Sequence, residues 1–455
     1  MRTPRTLAVL AVAALPGLAL AQGPKQPSEA ALVAPVSAAE LHATIEKLVS
    51  FGTRHSLSET HSDTRGIGAA RRWVKSRFEQ ISRDCGGCLT VETPSEVFTG
   101  ERIPKPTEIM DVVAVLKGTS DPNRVIIISG HLDSMPSNVM DPKTDAPGAN
   151  DDASGTAAVI EAARILSKRR YPATLVFAAL SGEEQGLYGG KVLANYAVKQ
   201  GWKVEAQLNN DIVGNTHGSS GAHDDTHVRV FSEGVRTIET AADAAVRQRN
   251  GGEVDSPSRN LARFIDRVAE RDVKGLDVVM IYRTDRYRRG GDQIEGLAKG
   301  FPAVRFTEAN ENYDRQHQTV RVENGRHYGD VIEWVDFPYL AKVTRLNAAT
   351  MAALAQAPAP PDKVDLAGAV SPDTTVSWTN VPGAAGYRVW RRRTTEPQWQ
   401  IGQYVPASQT SLKMPGVIID DWFFGVSSVG ADGHESPVEF PAPAGSFFPP
   451  KPAKP

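Results

Sequence analysis

The sequence predicts an α/β fold, a mixed β-sheet flanked by helices, followed by a small all-β sandwich. Short apolar runs rich in β-branched residues alternate with amphipathic helical patterns through residues 36–355. A stiff Pro-rich linker, residues 356–362, then changes the composition. Short alternating strands separated by turns follow over residues 363–444, and residues 445–455 form a Pro-rich tail.

The chain begins with the features of a secretory signal. Two arginines precede the apolar stretch Leu7–Leu20, and a small-residue cleavage site ends at Ala21. We therefore expect residues 1–21 to be a Sec-type, bacterial-like signal peptide, and the mature protein to be secreted or periplasmic. Residues 22–35 are rich in Pro and Ala and are expected to be flexible.

Helical patterns flank the predicted sheet. Residues 38–51 and 64–81 are amphipathic and precede it, and residues 337–355 form a long helix that ends the α/β domain. Asp336 is the expected N-cap of that last helix, and Pro338 suits its first turn, where no N–H partner is needed.

Acidic residues and one histidine follow three predicted buried strands, where those strands end. His131 and Asp133 follow Val125–Ile128, Glu183 and Glu184 follow Thr174–Leu180, and Asp211 follows Ala206–Leu208. Ligand sites in open α/β sheets lie beyond the carboxyl ends of the strands. These side chains are therefore expected to meet at one edge of the sheet.

Two further segments carry metal-ligand types. Asp151 lies in a loop that opens a helix, with Ser154 as the expected N-cap, and a helix N-terminus would stabilise that carboxylate. His317 lies in the fifth segment, Gln316-His317-Gln318-Thr319. Two histidines and three carboxylates suit a pair of divalent metals that share one carboxylate and activate a water. The pattern therefore predicts a metal-dependent hydrolase.

From about Met110 to Ala355 the chain resembles the two-zinc aminopeptidases of metallopeptidase family twenty-eight, which also includes glutamate carboxypeptidases and glutaminyl cyclases. The matching motifs are Gly-His-Leu-Asp-Ser at 130–134, Gly-Ala-Asn-Asp-Asp-Ala-Ser-Gly at 148–155, Glu-Glu-Gln-Gly-Leu at 183–187 and Asn-Asp-Ile at 210–212. The resemblance implies two Zn²⁺ ions per chain, bridged by Asp151. It implies that His131 and Asp211 complete one site and that Glu184 and His317 complete the other. Glu183 would be the general base, and Asp133 would hold His131 in place.

The last ligand segment departs from the family pattern. Much of the family has a Tyr before the final His, where this chain has Gln316; Tyr313 could substitute at the substrate rim. His327 is the competing candidate for the final ligand. Asp292 matches a family segment near the substrate rim and is not expected to bind metal.

The only two cysteines are Cys85 and Cys88, in a Cys-Gly-Gly-Cys sequence. In a cytosolic protein this spacing would suggest a redox motif. Export favours a short-loop disulfide without a catalytic role.

The C-terminal strands resemble a fibronectin type III domain over residues 363–444. Trp378, Tyr387 and Val389 are the expected core markers, and Trp422 stands where a tyrosine corner is usual. No ligand segment lies beyond residue 361, so we expect the sandwich to be separable from the site.

Composition limits the function classes. The chain has 455 residues and a net charge of −2, which argues against a nucleic-acid partner. No segment after the signal is long and apolar enough to span a membrane. We expect a monomeric zinc exopeptidase that acts on peptides or proteins, most simply an aminopeptidase. The alternatives are a carboxypeptidase, for which Arg283, Arg286, Arg288 and Arg289 are candidates, a dipeptidase, or a non-catalytic binding ectodomain.

Overall fold

The computed structural model describes residues 23–441 and 443–448. The predicted signal peptide and the end of the predicted tail lie outside the described residues.

The helices are α1 Ala30–Val33, α2 Ala38–Val49, α3 Gly66–Asp84, α4 Ala153–Leu166, α5 Tyr188–Gln200, α6 Ala241–Asn250, α7 Pro257–Asp272, α8 Gln293–Ala298 and α9 Phe337–Gln356. The strands of the α/β domain are β1 Thr90–Glu92, β2 Ser95–Gly100, β3 Ile103–Met110, β4 Val112–Leu116, β5 Asp121–His131, β6 Ala173–Leu180, β7 Lys203–Asn210, β8 His227–Ser232, β9 Asp277–Ile281, β10 Ala303–Glu308, β11 Arg321–Glu323 and β12 Arg326–Tyr328. Those of the C-terminal domain are β13 Val364–Ala367, β14 Thr374–Trp378, β15 Gly386–Arg393, β16 Ile401–Pro406, β17 Ser411–Met414 and β18 Trp422–Val429.

An eight-stranded mixed sheet, in the order β1-β4-β6-β5-β7-β10-β8-β9, forms the centre of the α/β domain. Strands β6, β5, β7 and β10 run parallel, and the outer strands β1 and β4 pair antiparallel. The four parallel strands therefore end at the same edge of the sheet. The predicted fold class, a mixed sheet flanked by helices and followed by small β-sheets, is confirmed.

Both faces of the sheet are covered, and strand β5 shows how. Ile126 and Ile128 point into the core shared with α2, α4 and α9, whereas Val125 and Ile127 pack with α5 on the opposite face. Alternate side chains of a strand point to opposite faces, so a continuous apolar run fits a strand buried on both sides. Each such side chain contributes about 1.5–3 kcal/mol on burial.

The structure confirms the three predicted helices that flank the sheet, and Asp336 caps α9 by accepting a hydrogen bond from the Tyr339 N–H. The predicted cap of α4 is wrong. Asp152 caps that helix, accepting from the Gly155 N–H at 2.9 Å, while the Ser154 hydroxyl donates to the Asn150 carbonyl instead.

The expected flexibility of residues 22–35 stays a prediction, although their described part makes contacts with the rest of the chain. This segment contains α1, and Glu29, which is 5% exposed, accepts a hydrogen bond of 2.8 Å from His434 of the C-terminal domain. The sequence around Glu29 could not show this contact, because the partner lies 405 positions away.

A disulfide joins Cys85 and Cys88 at the end of α3. No helix among the described residues is long and apolar enough to cross a membrane.

The C-terminal domain consists of two three-stranded antiparallel sheets, β13-β14-β17 and β16-β15-β18. Side chains from both sheets meet in one core, and the expected markers Trp378, Tyr387 and Val389 are all buried there. The likeness to a fibronectin type III domain stays a prediction. The chain also packs beyond residue 444, where the Ser446 carbonyl accepts a hydrogen bond from Arg236 of the α/β domain.

A buried ionic cluster joins the two domains. Asp255, which precedes α7, accepts hydrogen bonds from Arg263 of α7 at 2.9 Å and from Arg392 of β15 at 2.6 Å, and all three side chains are at most 1% exposed. Trp399 of the C-terminal domain also donates to Asn260 at 3.2 Å. The C-terminal domain therefore contacts the α/β domain despite the Pro-rich linker, and its separability from the metal site stays a prediction.

Candidate metal centre

The five ligand candidates come from five different parts of the chain and meet at the carboxyl edge of the parallel strands. His131 is the last residue of β5, Glu184 follows β6, and Asp211 follows β7. Asp151 lies just before α4, and His317 lies in the loop after β10. All but His317 have side chains at most 6% exposed, and His317 is 36% exposed.

Asp151 lies between the two histidines. Its Oδ1 is 3.1 Å from His131 Nε2, and its Oδ2 is 3.0 Å from His317 Nε2. His317 Nε2 is also 3.3 Å from Glu184 Oε2. Each oxygen of one carboxylate thus faces a different imidazole, which is the arrangement a bridging carboxylate needs.

The donor set fits a divalent cation. Ligand atoms of His131, Asp151 and Glu184 all lie within 4.8 Å of one another. Glu184 Oε1 is buried without a hydrogen-bond partner among the described residues, so a bound cation would satisfy it. Imidazole nitrogens and carboxylate oxygens are ligands that zinc accepts in hydrolytic sites.

The carboxylate of Asp211 divides its two oxygens between the centre and the protein. Its Oδ1 lies 3.9 Å from His131 Nε2, and its Oδ2 forms an ion pair with Arg305 Nη1 at 2.6 Å. Arg305 is fully buried in β10 and is also 3.6 Å from Asp285. The arginine therefore fixes Asp211 with one oxygen left free to bind a metal.

Asp133 lies behind the centre and organises both neighbouring segments. Its carboxylate accepts hydrogen bonds from the backbone N–H groups of Glu183 and Glu184, at 3.3 and 3.2 Å, and from the Ser56 hydroxyl at 3.1 Å. His131 Nδ1 lies 3.1 Å from the Asp133 backbone carbonyl and 3.5 Å from its carboxylate. A ring nitrogen held in this way leaves Nε2 to bind a metal.

Glu183 lines the cavity that opens over the centre, and among the described residues its side chain serves neither as a helix cap nor as an ion-pair partner. Burial raises the pKa of its carboxyl well above its usual range, and the neighbouring charges of Asp211 and Glu184 raise it further against the opposing effect of His131. Bound cations would lower it again and leave the group able to exchange a proton. Burial alone would lower the pKa of His131, but Asp152, Asp133 and Asp151 raise it well above the usual value.

Neither residue predicted at the substrate rim, Tyr313 or Asp292, is among those that line the cavity over the centre. Tyr313 is 61% exposed, and its backbone N–H donates to the Ser219 hydroxyl at 2.7 Å. Asp292 is fully buried and accepts a hydrogen bond from the Gly190 N–H at the start of α5. Burial raises the pKa of Asp292 to about 7. His327, the competing ligand, is an exposed residue of β12.

Sequence reasoning missed three buried groups that hold the centre in place. Asp330 accepts from the backbone N–H groups of Asn150 and Asp151, at 2.9 and 2.6 Å, and so positions the bridging candidate. Arg54 donates to the carbonyls of Leu132 and Gly148, which flank the two ligand loops. Arg305 is the third. Its position inside the buried strand β10 is the one local feature of the sequence that could have indicated such a supporting residue.

A cavity of about 400 Å³ opens over the centre. Its lining includes Asp151, Glu183, Glu184, Asp211 and His317. Four arginines share that lining, namely Arg102, Arg286, Arg288 and Arg289. Arg102 reaches in from the turn between β2 and β3 and donates to the Glu184 carbonyl at 2.9 Å. The cavity therefore combines a compact acidic centre with a basic wall.

Comparison with known proteins agrees with this site. Residues 111–331 match the model of peptidase family M28. A protein of Leptosphaeria maculans described as a probable zinc metalloprotease is 44% identical over 435 residues, covering 94% of this chain and all of the relative. A crystal structure of the Legionella pneumophila LapA aminopeptidase superposes with a TM-score of 0.51 at 19% identity, over 78% of this chain and 77% of the other. A glutaminyl cyclase of Fimbriiglobus ruber gives a TM-score of 0.51 at 16% identity, over 72% of this chain and 97% of the other. The chain belongs to peptidase family M28 and is a zinc metalloprotease.

Proposed function

We propose that this M28 zinc metalloprotease is an exported, monomeric two-zinc exopeptidase, most simply an aminopeptidase. The observation that carries the proposal is the position of Asp151, whose two oxygens lie 3.1 and 3.0 Å from two different histidines. The cavity over the centre, about 400 Å³, is within the size range of pockets that bind small ligands, which is compatible with an exopeptidase that takes a chain end.

The ligand roles follow from the contacts. His131, Asp151 and Asp211 would hold one ion, and Glu184, Asp151 and His317 the other. When bound, two zinc ions would polarise the scissile carbonyl and lower the pKa of a water. Glu183 has no structural partner among the described residues, so its carboxylate is free to take the proton from the attacking water. It would then return that proton to the leaving amine.

The metal arrangement is tested by substituting the shared ligand. Asp151→Ala should lose both ions, because each oxygen faces one site. Glu184→Ala should lose mainly one, with His131, Asp151 and Asp211 still in place. Metal content measured by plasma emission on the purified variants decides this. Two zincs retained by Asp151→Ala would refute the bridge.

The basic wall favours a second candidate, an exopeptidase that binds a substrate carboxylate. Arg286 Nη1 is buried and has no hydrogen-bond partner in the described part of the chain, although Glu311 lies 3.6 Å away. Arg288 is exposed and lines the cavity. An arginine cluster is a frequent recognition site for a carboxylate.

Two substrate sets separate the candidates. An aminopeptidase cleaves amino-acid p-nitroanilides with a free amino group, whereas a carboxypeptidase cleaves N-blocked peptides with a free carboxylate. Arg288→Gln should raise KM only for the second set. Arg283→Gln is the matched control, because Arg283 is exposed nearby but does not line the cavity. Chelator should abolish either activity.

Export and the monomeric state are part of the proposal. Amino-terminal sequencing of protein recovered outside the cytoplasm should begin at Gln22. Size-exclusion chromatography with light scattering measures the oligomeric state directly.

A further inference from the structure

A second and larger cleft lies against strand β3, and its lining residues are all different from those of the cavity over the metal centre. Its volume is about 670 Å³, and one wall is Pro104–Glu108 of β3. The lining also includes the start of α3 and the segment before it, namely Ser56, Leu57, Ser58, Thr60 and His61. None of the five ligand candidates lines it, so it is a separate feature of the surface.

Arg71 of α3 lies at the floor of this cleft. It is only 7% exposed, and its Nε donates to the Ser181 hydroxyl at 3.2 Å. Its Nη2 is buried and has no hydrogen-bond partner among the described residues. Within the described residues, the Arg71 guanidinium therefore has one nitrogen, Nε, in a hydrogen bond and another, Nη2, without a partner.

The charge of the cleft suits an anion. Arg72, Lys105 and His61 line it together with Arg71, and Glu108 is the one acidic side chain among its lining residues. Glu108 already accepts a hydrogen bond from Ser95 on the neighbouring strand at 2.7 Å. A buried arginine with an unused N–H is costly unless an acceptor meets it, and charge-assisted bonds to oxyanions are the strongest it makes.

We propose that this cleft is a second binding site, which takes a small oxyanion, a carboxylate or a phosphate, at the guanidinium of Arg71. The anion enters past Lys105, whose side chain is exposed at the mouth. The floor of the cleft is also linked to the metal centre. Arg71 holds Ser181, two residues before Glu183, and Ser56 in the wall donates to Asp133.

The test is calorimetric titration of the zinc-loaded full chain with inorganic phosphate and, separately, with succinate. A saturating amino-acid hydroxamate fills the metal centre, so that anion binding to zinc does not contribute. We expect saturable one-site binding. Binding of phosphate alone identifies a phosphate-bearing ligand, and binding of succinate alone identifies a carboxylate ligand.

Three variants locate the site. Arg71→Gln should raise Kd about tenfold or more, the scale of one charge-assisted hydrogen bond. Lys105→Glu reverses a charge at the mouth without touching a packed residue and should raise Kd about threefold. Lys199→Glu makes the same charge change on the exposed end of α5, outside the cleft, and should leave Kd unchanged.

The proposal is overturned if neither anion binds saturably, or if Lys105→Glu binds as wild type does. The result for Lys105→Glu remains decisive even if Arg71→Gln fails to fold. Lys105→Glu should also keep the wild-type KM for a small chromogenic substrate. A raised KM would show that the cleft belongs to the substrate site and would overturn the proposal of a second site. Because the titration needs no turnover, its outcome is independent of the proposed peptidase specificity.

Discussion

Removal of the Asp255 carboxylate should destabilise the whole chain rather than the C-terminal domain alone. Asp255, Arg263 and Arg392 are buried at the domain interface, with ion-pair distances of 2.9 and 2.6 Å. Asp255→Ala leaves two buried guanidinium groups without their carboxylate, and breaking such a pair costs about 3–5 kcal/mol. Backbone carbonyls still accept from both arginines, so neither is left without partners.

The expected shift in Tm follows from the size of the cooperative unit. The entropy of unfolding is about 2.1 cal/mol/K per residue, or roughly 0.9 kcal/mol/K for a unit of about 430 residues. A loss of about 3–5 kcal/mol then lowers Tm by about 3–6 °C. If the C-terminal domain unfolded alone, the smaller unit would give a separate and much larger shift.

Differential scanning calorimetry at fixed zinc concentration measures this. Asp365→Ala is the matched control, because it removes an exposed carboxylate whose ion pair with Lys363, at 2.8 Å, lies in solvent. That control should move Tm by at most about 1 °C. A chain that ends near Ala357 should be less stable than the full chain for the same reason. Equal Tm values for Asp255→Ala and Asp365→Ala would refute the reasoning.

Three further outcomes are expected. Glu183→Gln should keep its zinc content, measured by plasma emission, while kcat falls by about 10²–10⁴-fold; activity within a few-fold of wild type would reject the general base. His317→Ala should lose zinc and activity and His327→Ala neither, and the reverse result would transfer the ligand role. Burial lowers the pKa of His434, but the hydrogen bonds and charges of Glu29 and Asp432 together raise that pKa above its ordinary value. The contact with Glu29 stabilises the fold at about pH 6 and weakens as the pH rises through the raised pKa, so Glu29→Gln should lower Tm more at about pH 6 than at about pH 9.

Local signals were enough to predict the frame of the site. The strands that lead to His131 and Glu183 contain continuous apolar runs, a pattern that identifies a strand buried on both faces from the local sequence alone. The cap of α9 is equally local, since Asp336 accepts from a residue three positions later. The cap of α4 is local too, but Asp152 and Ser154 compete for it and only the structure separates them.

Long-range contacts could not be predicted, because one sequence carries no record of which distant residues meet. Asp330 is 179 positions from Asp151, whose N–H it binds. Arg263 and Arg392 meet on Asp255 although they lie in different domains. The linker before β13 suggested independence because its composition is that of a spacer. The buried interface is formed instead by charged residues, which a sequence pattern assigns to solvent.

Asp330 and Arg305 have the same role at the metal centre. Each holds a candidate ligand residue through a group of that residue that would not bind the metal. Asp330 holds Asp151 by its backbone N–H and leaves both carboxylate oxygens to the histidines. Arg305 holds Oδ2 of Asp211 and leaves Oδ1 towards His131. Groups behind the ligands commonly change metal affinity by about 10–100-fold. The five ligand types therefore define what the centre can bind, whereas these buried partners, invisible in the motifs, set how firmly it binds.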